Sequence, residues 1–125
     1  MTIQQALDKI DLQRPNKVSI TQKVAWLNEL DGLIHREIIL AHYHPCPLDH
    51  FDGYTMDTDF DTKLLAPFPY DEIYVHFLAL NCDLVNQEVG KYNNDKTLFN
   101  NAYDTLSDFW TRNYMPIQKT RELRL

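Results

Sequence analysis

The stretch SITQKVAWLNELDGLIHREIILAH, residues 19–42, decides the fold. Ser19 followed three residues later by Gln22 has the form of a capping box, in which a hydroxyl and a glutamine satisfy the open N–H groups of a helix start. Behind them Val24, Leu27, Leu30, Ile34, Ile38 and Ala41 recur every three or four residues, so they fall on one helical face. The spacing predicts a helix over 20–42. Ile20, Trp26, Leu33 and Leu40 widen the apolar face, which predicts contact with more than one neighbour; Gly32 is a mild weak point.

Outward from this helix the same signals recur. Upstream, Thr2 and Gln5 form another capping-box pattern, and Ile3, Ala6, Leu7 and Ile10 predict a first helix over 3–11, ended by Pro15 and Asn16. Downstream, Pro45 and Pro47 stop the long helix, and the next twenty residues have no helical period. Phe51-Asp52-Gly53-Tyr54-Thr55-Met56 mixes turn and strand propensities and reads as a short β-hairpin or an ordered extended loop, closed by Pro67 and Pro69. Over 70–91 the residues Ile73, Phe77, Leu80 and Leu84 define a stripe flanked by Tyr74, Leu78, Val85 and Val89, a third helix whose first turn carries Asp71 and Glu72 in keeping with its dipole. Asn93, Asn94 and Asp95 read as the turn into a last helix bearing Phe99, Ala102, Leu106 and Phe109, which ends before Pro116. The expected architecture is mainly α, one four-helix domain over 1–115 with an acidic extended segment, 48–69, inserted between the second and third helices. Trp26 and Phe77 are expected in the core shared by the two longest helices. Residues 116–125 are expected to be a flexible tail that orders only against a partner.

Composition narrows the function. At 125 residues the chain is one domain in size, with 44% apolar residues and three glycines, so most of it should fold. Its apolar runs are too short to span a membrane, and the charged start MTIQQALDKI is unlike a signal peptide, so folding in the cytoplasm, with Cys46 and Cys82 as thiols, is expected. The net charge of −6 is concentrated: residues 48–72 hold seven acidic side chains and one basic, while the rest of the chain balances. The concentrated Lys and Arg of a nucleic-acid grip are missing.

Few constellations invite chemistry. His42, His44, Cys46, Asp49 and His50 lie within nine residues, and zinc takes such donors, but the spacing fits no structural zinc pattern and two prolines stiffen it. The expected state is a solvated helix end without metal. Asp57, Asp59 and Asp61 alternate as at the start of a calcium loop, yet Thr62 and Phe68 stand where that loop wants Gly and Glu, which leaves turn chemistry. No nucleophile is paired with a base, His35 and His76 read as boundary residues on helices, and glycines at 32, 53 and 90 cannot form a phosphate loop. The chain is expected to be neither an enzyme nor a cofactor binder.

Three blocks resemble a family of head-to-tail connector (adaptor) proteins from the structural modules of tailed phages and prophages of Gram-positive bacteria. They are Trp26-Leu27-Asn28-Glu29-Leu30-Asp31-Gly32; Gly53-Tyr54-Thr55-Met56-Asp57-Thr58-Asp59 with Leu64-Leu65-Ala66-Pro67-Phe68-Pro69-Tyr70-Asp71-Glu72; and Gly90-Lys91-Tyr92-Asn93-Asn94. They frame residues 24–115, and the stretch 42–50 lies outside the pattern. The resemblance implies a mostly helical subunit that forms a ring homo-oligomer beneath the portal protein, meets downstream neck or tail proteins, and lines the DNA exit channel of the virion after assembly in the host cytoplasm. Asp52, Asp57, Asp59, Asp61, Asp71 and Glu72 are the candidate interaction residues, placed at a joint or on a channel wall where negative charge keeps DNA from sticking. The alternative is a small phage-encoded regulatory module that sequesters a basic partner through the same acidic segment.

Overall fold

The computed structural model describes residues 1–44 and 48–117. Four helices follow in order: α1 (Ile3–Gln13), α2 (Ile20–Ile34, continued by a π-helical turn His35–Ile39), α3 (Glu72–Val85) and α4 (Val89–Asn113). Among the described residues there is no β-sheet, and the segment between α2 and α3 is an extended, turn-rich loop rather than a hairpin.

The helix starts are set locally. Thr2 Oγ1 accepts the Gln5 N–H while the Gln5 side chain accepts the Thr2 N–H, so the predicted capping box at α1 is complete. At α2 the Ser19 hydroxyl accepts the Gln22 N–H. The predicted apolar faces of these helices are the buried ones: Ile3, Ala6, Leu7 and Ile10 on α1, and Val24, Leu27, Leu30, Ile34 and Ile38 on α2.

Helix ends and one face depart from expectation. The second helix stops at Ile39 rather than 42, because its last turn widens to a Leu40 N–H to His35 carbonyl bond of 2.9 Å. The extra residue rephases the helix so that the adjacent Ile38 and Ile39 are both buried. The third helix ends at Val85, not 91. Asn86, Gln87 and Glu88 make the turn, with Gln87 at φ 58°, and Asn93, Asn94 and Asp95 lie inside α4, not before it. A turn this short makes α3 and α4 an antiparallel pair, and it is the most closely packed pair of the fold. On α3 the buried residues are Ile73, Tyr74, Val75, Leu78, Ala79, Leu80, Cys82 and Asp83, while Leu84 and Val85 are exposed; of the expected Ile73–Phe77–Leu80–Leu84 stripe Ile73 and Leu80 are buried, and the flanking Tyr74 and Leu78 take the central place expected of Phe77. Phe77 and Trp26 are half-buried at the margin of the core, and the Phe77 ring pairs with Phe99 of α4 at 5.3 Å.

The end of α4 is tied back. Tyr43 N–H donates to the Met115 carbonyl and Ile117 N–H to the Ala41 carbonyl, around a bridge between His42 and Pro116. Pro116 and Ile117 thus belong to the folded body, which moves the expected start of a tail; residues 118–125 lie outside the described residues.

Candidate functional site

The loop between α2 and α3 is held by one buried carboxylate. Asp31, fully buried on α2, accepts the Tyr54 hydroxyl (2.5 Å) and the Leu65 N–H (3.1 Å) on Oδ2, and the Tyr74 hydroxyl (2.6 Å) on Oδ1. The Tyr74 oxygen in turn accepts the Ala66 N–H at 2.6 Å. Burial pushes the Asp31 carboxyl above its usual range, and the three donors pull it back. Burial, then the facing carboxylate, pushes both tyrosine hydroxyls up, so they stay protonated and keep donating. One turn earlier on α2, Asn28 Oδ1 accepts the Tyr54 N–H at 2.9 Å beside Gly53, which sits at φ +84°. Two of the sequence blocks, 26–32 and 53–72, are therefore joined directly: Asn28 and Asp31 grip both ends of the loop.

That grip presents the acidic side chains outward. Asp52, Asp57, Asp59 and Asp61 are exposed. Their turns are closed locally, with Thr55 Oγ1 accepting the Asp57 N–H, Thr58 Oγ1 the Thr55 N–H, and Asp59 Oδ1 the Asp61 N–H. Asp71 and Glu72 are placed differently. Asp71 is buried and accepts the Met1 amino group at 3.1 Å, and Glu72 accepts Lys9 Nζ at 2.8 Å, so both fasten α1 to the start of α3. Glu72 is exposed but held by Lys9, so the exposed candidates without an ion pair among the described residues are the other four.

The histidines of the 42–50 cluster are used by the fold. His42 is buried; Nδ1–H donates to the Ile38 carbonyl at 2.6 Å, and Nε2 meets the Thr111 hydroxyl at 3.2 Å. His44 donates from Nδ1 to the His42 carbonyl and from Nε2 to Asp49 Oδ1. Both partners are acceptors, which suits the doubly protonated ring, and the carbonyl bond together with Asp49 raises its pKa. His50 is exposed, and Cys46 lies outside the described residues. Among the described residues no three His, Cys, Asp or Glu side chains converge as metal ligands. His35 donates from Nε2 to the Leu48 carbonyl, a loop anchor at 2.9 Å, and Cys82 is a buried free thiol whose pKa is pushed up by burial.

A second buried charge cluster was not legible in the sequence. Arg14, at the C-terminal end of α1, donates from Nε to Asp83 Oδ1 (3.2 Å) and from Nη2 to Asp95 Oδ2 (2.6 Å), joining α1 to the ends of α3 and α4. Both carboxylates are buried, and Asp83 Oδ2 has no partner. Burial, and then Asp95, push the Asp83 carboxyl up to about 6. Residues 69 and 81 positions apart meet here, so no local pattern announces the site.

Beside Asp83 the α3–α4 turn borders a small open cleft of about 60 Å³, lined by Leu84, Gln87, Glu88, Val89 and Tyr92. No helix of the described residues is long and apolar enough to cross a membrane. Comparison of the chain with family models, with curated proteins and with solved structures gives no match.

Proposed function

We propose that the protein is a non-catalytic structural subunit of the tailed-phage neck, a head-to-tail connector that forms a ring on the portal, meets the downstream neck or tail proteins and lines the DNA exit channel. The observation that carries this reading is the fixed acidic surface: Asp52, Asp57, Asp59 and Asp61 stand exposed on a loop pinned by Asp31, Asn28, Tyr54 and Tyr74. A free acidic loop would collapse onto any cation, whereas a pinned one holds its charge at a set place. On a channel wall such charge repels the DNA phosphates and prevents adhesion. At a joint between rings it steers docking. The sequence blocks that resemble connectors include three of the four pinning residues, Asn28, Asp31 and Tyr54. In this reading the protein works in the virion neck after assembly in the host cytoplasm, without a cofactor and without reading DNA sequence.

The test is assembly with the portal of the same phage, followed by native mass spectrometry and electron microscopy. A closed ring on the portal is expected. Replacing Asp57, Asp59 and Asp61 together with Asn should slow or weaken that association while the circular dichroism spectrum stays unchanged. A wild-type chain that remains monomeric and ignores the portal at high concentration would sink the connector reading and favour the regulator, in which the same surface captures a basic partner.

A further inference from the structure

We propose that Asp52-Gly53 is a site of spontaneous backbone modification, at which the folded protein forms a succinimide that reopens to isoaspartate and unfastens Tyr54 from Asn28. The inference stands apart from the neck reading, because it concerns the covalent chain and needs no partner.

The chain holds two Asp-Gly pairs, Asp31-Gly32 and Asp52-Gly53, and the fold treats them oppositely. In the reaction the backbone nitrogen of the glycine attacks Cγ of the aspartate before it. A C–N bond forms, the nitrogen gives up its proton, and one carboxyl oxygen leaves as water. Water then reopens the ring. Breaking the new bond restores aspartate, whereas breaking the original peptide C–N bond leaves the backbone running through the side chain. Water is lost and regained, and nothing is oxidised or reduced. Glycine favours the attack because no Cβ crowds its nitrogen.

Asp31 is protected. It is fully buried, its two oxygens accept three donors, and the Gly32 nitrogen lies inside α2, where N–H groups point along the axis to the carbonyl four residues back. Asp52 meets the opposite conditions. Its side chain is exposed and makes no ion pair or hydrogen bond among the described residues, and the Gly53 N–H donates to no described partner. Both carboxyl and nitrogen are therefore open to water and to each other.

The consequence falls on the mooring of the loop. Isoaspartate sends the backbone through Cβ and Cγ, which adds one carbon–carbon bond of about 1.5 Å. Both flanks are held: the Phe51 ring meets His35 at 5.8 Å and Tyr54 at 5.2 Å, and the Tyr54 hydroxyl is bound to Asp31. Between them Gly53 lies so close to Asn28 that a Cβ would come within 2.8 Å of Oδ1. With no slack on that side, the added carbon displaces the Tyr54 N–H from its 2.9 Å bond to Asn28. The freed α-carboxylate replaces the side-chain one, so the loop keeps its charge and loses its fixed place.

The test incubates full-length wild type and Asp52→Glu, whose extra methylene disfavours ring closure, in warm neutral buffer with and without urea. Peptide mapping by electron-transfer fragmentation locates isoaspartate, and amide hydrogen exchange follows Tyr54. In native wild type isoaspartate should accumulate at residue 52 and not at 31, in urea at both, and in Asp52→Glu at neither while folded. The modified fraction should lose protection of the Tyr54 amide by roughly tenfold or more, as a locally opened bond does. Isoaspartate confined to the urea samples, or formed equally at residue 31 in the native protein, would overturn the site. Unchanged Tyr54 protection in the modified fraction would overturn the unfastening.

Discussion

Gly53 holds a backbone conformation, φ +84°, that other residues enter only with strain, and a Cβ built there would lie 2.8 Å from Asn28 Oδ1. Asn28 cannot retreat freely, because that oxygen accepts the Tyr54 N–H. Gly53→Ala should therefore destabilise the fold by about 1–3 kcal/mol. Gly90 gives the opposite sign: it sits in the first turn of α4 with open space where a Cβ would go, so Gly90→Ala should stabilise by up to about 1 kcal/mol. Urea denaturation of the two variants checks both, and equal shifts would show that the loop is not fixed at Gly53. Asp31 is the other residue on which the loop depends. Asp31→Ala leaves two buried tyrosine hydroxyls and a backbone N–H unpaired, so a loss of roughly 3 kcal/mol or more is expected in the same measurement.

The helices test two further points. On α3 the buried residue is Leu78 and the marginal one Phe77, so Leu78→Ala should destabilise by about 2–5 kcal/mol and Phe77→Ala by clearly less, although Phe is the larger side chain. The reverse order in chemical denaturation would restore the face expected from the sequence. At the α3–α4 corner the Asp83 carboxyl titrates near 6 when folded, above the 3.8 of its free state. A group with a raised folded pKa favours the fold while it is protonated, so its contribution is present at pH 4 and is lost as pH rises through about 6. Groups facing it are Arg14 from α1, Asp95 from α4 and, more distantly, Lys23 and Asp11, which act on the adjacent Cys82. Asp83→Asn keeps the shape, removes the titration and relieves the repulsion from Asp95. The variant should be more stable than wild type at pH 8, on the order of 1 kcal/mol, and the gap should narrow towards pH 5. Thermal melts across that range measure it, and a gap that widens on acidification would contradict the shared-guanidinium account.

For the whole molecule, the exposed acidic surface predicts a salt response. Association steered by Asp52, Asp57, Asp59 and Asp61 should slow several-fold between about 50 and 300 mM salt, because the screening length shortens from roughly 14 to 6 Å. Stopped-flow mixing with the portal reads that rate. The Asp57, Asp59 and Asp61 triple Asn variant should show a flatter dependence, and an identical slope would place the charge away from the joint.

The sequence by itself determined the number and order of the helices, the caps at Thr2 and Ser19, and the inner faces of α1 and α2, since these rest on spacing within a few residues. It also located the acidic loop and its exposed aspartates. Only the tertiary structure decided where α3 ends and which face it buries. Val85, Val89 and Leu84 are apolar enough to continue a helix, and the break at Asn86–Glu88 follows from packing α3 against α4, not from a Pro or Gly. Tertiary structure likewise separated Asp71 and Glu72, which bind Met1 and Lys9, from the aspartates that face outward. It alone assembled Arg14 with Asp83 and Asp95, and Asp31 with Tyr54 and Tyr74. Periodicity reports which side of a helix is apolar, but a polar side chain among apolar ones has the same spacing whether it faces water or a partner, and that partner is named only when distant segments meet.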